Sequence, residues 1–221
     1  MTSLTRADAV VVAGILAAAA RNEIMPRFRG TVASTTRQKT SAFDVVTDAD
    51  EAAERAISRA LLARFGGATI VGEEAAEREP DLLARIATDD LCFVIDPIDG
   101  TKNFSSGLPL FGSMVSATVG GEVALAAIHD PVCDDTFLAV RGEGAWRRDA
   151  DGRESALQVA APVPVAQVHA VAATNFMPAE LRAVVAGNLS RLGLSFWTRC
   201  AAHEYRLAAA GHCHVLVYNK L

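Results

Sequence analysis

Two aspartates follow a short apolar segment near the middle of this chain. Asp96 and Asp99 come directly after residues 91–95, whose β-branched and aromatic side chains predict a buried strand. Pro97 lies between them and prevents the strand from continuing evenly, so the bend is restrained before any ligand binds. Two carboxylates at the end of a rigid strand are ligands that a hard divalent cation such as Mg²⁺ prefers.

The next residues could bind an anion. Gly100 permits a tight backbone and the close approach of a ligand, and Thr101 could cap a helical turn. Their N–H groups would then face an anion such as phosphate. A cation site beside an anion site predicts metal-assisted phosphoryl transfer, with Asp99, Gly100 and Thr101 at the phosphate. The alternative is an ordinary strand that ends in an Asp-Pro turn.

A second short strand delivers two more acids in the same way. Residues 69–71 predict a strand, and Gly72 separates it from Glu73 and Glu74. With the aspartates close behind, this pattern favours a site. The alternative is that the two glutamates begin a solvated acidic run that continues along the chain.

Two cations that share a bridging carboxylate would suit this set of acids. Asp96 comes first on the rigid strand end and is the natural bridge. Glu73 would then coordinate one metal ion, and Asp99 would coordinate the other. The Ile98 carbonyl would also be in reach if the turn directs it inward.

A third segment could supply a base. Residues 43–50 predict a short extended piece that leads into a helix over about 49–64, with Thr47 or Asp48 as its cap. Asp50 would form a relay with Thr101, in which the hydroxyl orients a water and the carboxylate accepts its proton. The alternative is that the acids here only complement the helix dipole.

These segments together resemble the motifs of the inositol monophosphatase family, which comprises Mg²⁺-dependent, lithium-sensitive sugar phosphatases. Residues 96–101 are similar to its Asp-Pro-Ile-Asp-Gly-Thr signature, residues 72–74 to its Gly-Glu-Glu element, and residues 44–50 to its Asp-x-Val-Thr-x-x-Asp element. Lys39 matches the lysine five residues before that last element. The motifs occur in the family's order and spacing, and the resemblance covers about residues 5–221.

The resemblance implies a set of roles and a cofactor. It implies two or three Mg²⁺ ions. The implied metal ligands are Glu73, Asp96, the Ile98 carbonyl and Asp99, with Glu74 near a further, weaker site. Glu73, Asp50 and Thr101 are the implied catalytic residues.

The expected activity is hydrolysis of a small phosphate monoester by metal-activated water, with myo-inositol monophosphate as the leading substrate. Histidinol phosphate, fructose 1,6-bisphosphate or a nucleotide 3′-phosphate are alternatives within the same class. An alternative of another class is a non-catalytic regulator that binds a protein partner, such as RNA polymerase or a ribosome-associated factor, on the same fold.

The predicted fold class is an α+β to α/β layered sandwich of sugar-phosphatase type. Its first domain, 1–148, contains a mostly antiparallel sheet with helices, and its second, 149–221, is a smaller α/β domain whose boundary is the polar turn 149–153. An Ala-rich first helix over about 4–21, closed by Pro26 and Gly30, suits a buried or dimer-packed position. Residues 31–41 predict a loop or mobile hairpin.

One part of the family pattern is missing. The family carries a later Trp-Asp motif whose aspartate completes the second metal site, but neither Trp146 nor Trp197 is followed by Asp. The motif would fall shortly after residue 221. We therefore expect the second domain to be incomplete and a protein of this length to be weakly active or inactive and poorly stable.

The composition indicates which kinds of partner and which location to expect for this chain. A net charge of −5, with no evident basic face, argues against nucleic acid as the main partner. The four cysteines form no Cys-x-x-Cys pair and favour buried, reduced thiols. The apolar run 9–20 is too short to span a bilayer, so we expect no membrane association and a cytoplasmic location. The family resemblance implies a homodimer.

Overall fold

A computed structural model describes residues 3–30, 35–41 and 44–219 of the chain. The helices are α1 (Arg6–Ala19), a π-helical turn (Ala20–Ile24), α2 (Met25–Phe28), α3 (Asp48–Arg64), α4 (Glu73–Arg78), α5 (Leu82–Thr88), α6 (Thr101–Ser105), a 3₁₀ turn (Val165–Gln167), α7 (Ala179–Leu189) and α8 (Ala201–Ala209). The strands are β1 (Thr36–Ser41), β2 (Asp44–Thr47), β3 (Thr69–Gly72), β4 (Cys92–Asp99), β5 (Gly112–Val119), β6 (Glu122–Asp130), β7 (Asp135–Val140), β8 (Gly144–Arg148), β9 (Glu154–Ala156), β10 (His169–Ala172), β11 (Leu194–Phe196) and β12 (Val215–Val217).

The main sheet has seven strands in the order β3-β4-β5-β6-β7-β8-β9. Only β3 and β4 run parallel, and each later pair is antiparallel, as the sequence predicts. The two-residue turn Gly120-Gly121, with φ of 57° and 81°, joins β5 to β6. Both φ values are positive, so the hairpin needs glycine at both positions.

α1 and α3 cover one face of the main sheet. Val12 and Leu16 of α1 are fully buried in one core cluster with Leu125, Leu138 and Trp146 of the sheet. Each of these side chains stabilises the fold by roughly 1.5–3 kcal/mol through the removal of apolar surface from water. The cluster fixes α3 against the sheet, and with it the residues at the start of α3.

The first helical segment is longer than the sequence predicts. It continues through the π-helical turn and past Pro26 and ends at Phe28. Pro26 does not end it, because the proline lies near the start of α2, directly after a turn in which the α-helical hydrogen-bond pattern is already interrupted. By length and composition alone, Arg6–Phe28 is one helix that could cross a membrane. Its buried residues pack on the sheet, which is the arrangement of a core helix.

The C-terminal part of the chain forms a second, smaller sheet. Its strands lie in the order β11-β10-β12 and all run parallel, with α7 and α8 as the connections. Alternating strands and helices of this kind make an α/β unit, as predicted. The turn at 149–153, predicted as the domain boundary, joins β8 to β9 within the main sheet, so the sheet continues to Ala156.

Other sequence predictions have mixed outcomes. β1 and β2 pair as antiparallel neighbours where a loop or mobile hairpin was predicted, and residues 31–34, 42 and 43 lie outside the described part of the chain. All four cysteines are free thiols, but Cys133 is exposed rather than buried because it sits in the turn after β6.

Candidate active site

A bulge in β4 places the two aspartates. The pairing of β4 with β5 is regular up to Asp96 and resumes at Asp99 opposite Gly112, with one more residue on β4 than on β5 between them. Ser113 closes the bulge by donating its hydroxyl hydrogen to the Pro97 carbonyl over 2.6 Å. Residues three apart in a regular strand face opposite sides, so the extra residue brings both carboxylates to one side.

A left-handed residue then turns the chain into α6. Gly100 has φ 84°, and a Cβ there would lie 2.9 Å from the Leu110 carbonyl oxygen and 3.1 Å from the Cys200 Cβ, so only glycine fits. The turn directs Thr101 back toward the strand end, where its hydroxyl donates to the Ile98 carbonyl over 2.8 Å.

Asp50 is buried at the start of α3. Its Oδ2 accepts hydrogen bonds from the Thr47 N–H at 2.8 Å and from the Thr47 hydroxyl at 2.5 Å, and its Oδ1 lies 3.2 Å from the Thr101 Oγ1. Burial raises its pKa from 3.8 to about 6, against the lowering effect of the Thr47 hydrogen bonds, and the charge of Glu73 adds to the rise. A carboxyl group with this pKa is ionised at neutral pH and can accept a proton there.

Asp96 has a buried oxygen without a partner. Its Oδ1 is fully enclosed and accepts no hydrogen bond from the described residues. Burial raises its pKa well above the ordinary value, and the negative charges of Asp99, Glu73 and Asp50 raise it further. A hydrogen bond with the Glu73 side chain also raises the pKa of Asp96, so these two side chains are neighbours. A cation would relieve this concentration of negative charge.

A hydrogen bond from the start of α8, a helix of the second α/β unit, holds Asp99. Its Oδ2 accepts the Ala202 N–H, at the start of α8, over 2.6 Å, and the Cys200 thiol lies 3.6 Å from its backbone carbonyl oxygen. Burial raises its pKa to about 6, while the bond from Ala202 acts against the rise. A Cβ at Gly112 would be 2.7 Å from the Ala202 Cβ, so a glycine on β5 lets α8 approach this closely.

The two glutamates at the start of α4 have different surroundings. Glu73 is exposed, whereas Glu74 is only 4% exposed, and the Glu74 N–H donates to the Glu54 Oε2 over 2.8 Å. Glu77 and Glu79, further along the acidic run, are exposed as well. Glu73 differs from them because it interacts with Asp96, whose pKa its charge and its hydrogen bond raise.

Two buried polar residues that the sequence analysis missed connect the site to the second sheet. Asn103 donates from its Nδ2 to the carbonyl oxygens of Leu110 at 2.8 Å and Thr198 at 2.9 Å. Glu204 is fully buried, and it accepts the Thr198 N–H and hydroxyl, both at 2.7 Å, and the Tyr218 hydroxyl. Asn103 lies two residues after the signature and could have been noticed, but Glu204 lies inside a helix with no signal of its role.

The chemistry of the donor set fits a divalent cation. Within the described ranges, no three carboxylate, imidazole or thiolate side chains are already grouped as a metal site. The enclosed oxygen of Asp96 and the mutual repulsion of its neighbouring acids nevertheless match a place where positive charge is needed. Asp96, Glu73 and Asp99 are the side chains that could hold such an ion, with waters or a ligand completing its shell.

The structure brings most of the predicted site residues together. Hydrogen bonds join Asp50, Thr101 and the Ile98 carbonyl, and electrostatic coupling joins Asp96 to Glu73 and Asp99. Their catalytic, metal-binding and phosphate-binding roles stay predictions, as do those of Glu74 and Gly100. The Lys39 side chain lies outside the described part of the chain.

Comparison with known proteins identifies similar sequences. The model of the inositol monophosphatase family matches residues 7–216. A Nus factor SuhB of Pasteurella multocida is 38% identical over 109 residues, which cover 49% of this chain and 39% of that protein. An inositol monophosphatase of Dictyostelium discoideum is 36% identical over 105 residues, which cover 48% of this chain and 37% of that protein. The matched segment thus spans about two fifths of these curated relatives.

Solved structures share the fold. An IMPase/NADP phosphatase, crystallised with NADP and Ca²⁺, superimposes with a TM-score of 0.79 at 18% identity and covers 96% of this chain and 75% of its own. The extragenic suppressor protein SuhB of Bartonella henselae has a TM-score of 0.77 at 22% identity, over 92% of this chain and 75% of that chain. The likeness confirms the predicted layered fold.

Proposed function

Because this chain belongs to the inositol monophosphatase family, we propose that it hydrolyses a small phosphate monoester with the help of Mg²⁺. The observation that carries the proposal is the Thr101 hydroxyl, which lies between the Asp50 carboxylate and the Ile98 carbonyl. This hydroxyl stands beside the acids of the β4 bulge, which would bind the cation.

Each residue then has a specific task. Bound Mg²⁺ would supply a water of lowered pKa and would neutralise charge on the phosphate. The Thr101 Oγ1 accepts a hydrogen bond from the attacking water and so orients it. Its own hydrogen turns from the Ile98 carbonyl to Asp50, over the 3.2 Å contact. As the water attacks, it gives its proton to the Thr101 Oγ1, and the Thr101 hydroxyl passes its own proton to the Asp50 Oδ1, so the hydroxyl is restored.

The remaining residues bind and align. Asp96, Glu73 and Asp99 would hold the cation. The Ala202 N–H donates to the Oδ2 of Asp99 and so fixes the direction of this carboxylate. The N–H groups of Gly100 and Thr101 would bind phosphate oxygens, and the rigid turn at Gly100 fixes their direction before substrate arrives.

A phosphate-release panel tests this function. It contains myo-inositol monophosphate, histidinol phosphate, fructose 1,6-bisphosphate and a nucleotide 3′-phosphate, each with and without Mg²⁺ and Li⁺. We propose myo-inositol monophosphate as the leading substrate and inhibition by Li⁺. Mg²⁺-dependent release that Asp96→Asn abolishes would support the proposal. Release no faster than in Asp96→Asn, with every substrate, would overturn it.

A second candidate function is regulatory binding, because one relative carries the name Nus factor. In that case the chain would bind RNA polymerase, and the acids would have no part in binding. The test is binding to purified polymerase by the wild type and by Asp96→Asn. Equal affinity of the two proteins, together with no phosphatase activity, would favour this candidate.

We also propose a cytoplasmic homodimer. The support is the family membership and an apolar groove of 480 Å³ between the outer faces of α1 and α3, lined by small residues such as Gly14, Ala18 and Ala60. Light scattering on the purified chain would distinguish a dimer from a monomer. A replacement of Ala60 by Glu in the groove would disrupt a dimer formed there.

A further inference from the structure

Glu54 is a buried acid with no assigned task. It lies on α3 one turn after Asp50, and side chains four residues apart share one side of a helix. It is only 7% exposed. A carboxylate in such a place is costly unless it accepts hydrogen bonds.

The partners of Glu54 lie at the start of α4. Its Oε2 accepts the Glu74 N–H over 2.8 Å, and the Ala75 N–H also donates to the carboxylate. α4 has six residues, and its first N–H groups have no partner within the helix. Glu54 therefore supplies the acceptor that this short helix needs at its first turn.

Gly72 makes room for this contact. A Cβ at Gly72 would lie 2.3 Å from the Glu54 carboxyl carbon and 2.4 and 2.7 Å from its two oxygens. The backbone of Gly72, with φ −86° and ψ 153°, is one that any residue adopts. The need for glycine here comes from the close approach of Glu54 and not from the turn.

α3 therefore contacts two segments of the proposed site: the turn at Thr101 and the start of α4. Asp50 contacts Thr101, whereas Glu54, one helical pitch of about 5.4 Å further along, contacts the backbone that carries Glu73. We propose that Glu54 is a positioning residue that fixes Glu73 relative to Asp50 and thereby sets the affinity for the divalent cation. This inference rests on the proposed function, because it concerns the same site.

Two variants distinguish the loss of the hydrogen-bond acceptor at position 54 from the loss of its negative charge. Glu54→Ala removes the acceptor and leaves two N–H groups unpaired, whereas Glu54→Gln keeps one acceptor oxygen. We expect Glu54→Ala to weaken Mn²⁺ binding by about 10-fold or more, the range typical of residues that orient metal ligands, and Glu54→Gln to weaken it less. Mn²⁺ binding is measured on the full 221-residue chain by paramagnetic resonance, without substrate.

Matched controls exclude general destabilisation. Glu51→Gln removes a neighbouring acid of α3 that pairs with Arg37, and Leu138→Ala destabilises the core far from α4. Both should bind Mn²⁺ like the wild type at temperatures where every variant is folded. Wild-type affinity in folded Glu54→Ala, or equal weakening in Leu138→Ala, would overturn the inference.

The same titration separates failure of the inference from failure of the proposed function. If the wild type binds no Mn²⁺ and releases no phosphate, the proposed function is wrong and the role of Glu54 falls with it. If the wild type binds Mn²⁺ and hydrolyses substrate while Glu54→Ala binds equally well, only the positioning role is wrong.

Discussion

Replacement of Asp50 by Asn should make the protein more stable and inactive. The folded chain raises the pKa of Asp50 from 3.8 to about 6, chiefly through burial. Folded Asp50 thus holds its proton more tightly than unfolded Asp50, so its contribution to stability is present below pH 3.8 and is lost as pH rises through about 6. At 1.36 kcal/mol per pKa unit, ionised Asp50 disfavours the folded state by about 3 kcal/mol above that pH.

Asparagine fits the same hydrogen bonds without the charge. Its oxygen can accept both donors of Thr47, and its NH₂ group can donate to the Thr101 Oγ1, which still donates to the Ile98 carbonyl. The variant should therefore be the more stable protein at neutral pH. It should release no phosphate, because it cannot accept a proton from water.

Denaturant unfolding in EDTA, at about pH 8 and about pH 4.5, measures the difference in the free energy of unfolding between Asp50→Asn and the wild type. Linkage predicts that the stability advantage of Asp50→Asn is about 2 kcal/mol larger at the higher pH, since most of the Asp50 titration lies between the two. Glu51→Gln, which removes the next acid of α3, is the control. An advantage that does not change with pH would refute the burial argument.

Four further predictions concern the same region. Asp96→Asn should abolish Mn²⁺ binding and raise the free energy of unfolding at neutral pH, as resonance titration and denaturant unfolding would show, because it removes a buried carboxylate that Asp99, Glu73 and Asp50 repel. Gly72→Ala should weaken Mn²⁺ binding as Glu54→Ala does, since the methyl group displaces the Glu54 carboxylate, and an unchanged affinity would contradict this. Asn103→Ala should cost about 1–3 kcal/mol in unfolding experiments by leaving buried polar groups unpaired. Arg199→Gly should raise the melting temperature, because Arg199 has φ 60° and this conformation costs roughly 1–2 kcal/mol in a residue with a Cβ.

The sequence predicted the elements of this fold well because their signals are local. The β-branched and aromatic residues before Asp96 favour a buried strand by themselves, and the structure has a strand there. Thr47, one of the two caps that the sequence offered, is the residue that caps α3. Each of these features depends on neighbours within a few residues.

The contacts that shape the site could not be predicted in the same way. The extra residue in β4 depends on the register with β5, which a single strand does not reveal. The role of Glu54 depends on how α3 packs against α4, and the bond from Ala202 to Asp99 joins residues 103 positions apart. The sequence therefore indicated which acids lie close together, but not which groups hold them.

The bond between Asp99 and Ala202 also has a consequence for folding. During synthesis, the ribosome releases Asp99 long before the residues of α8, so a nascent chain carries this acid without its N–H partner. Contacts between such distant residues close late, because the loop between them must first lose its freedom. The arrangement of Asp99 against α8 should therefore be completed as one of the last events of folding, after the main sheet has already formed.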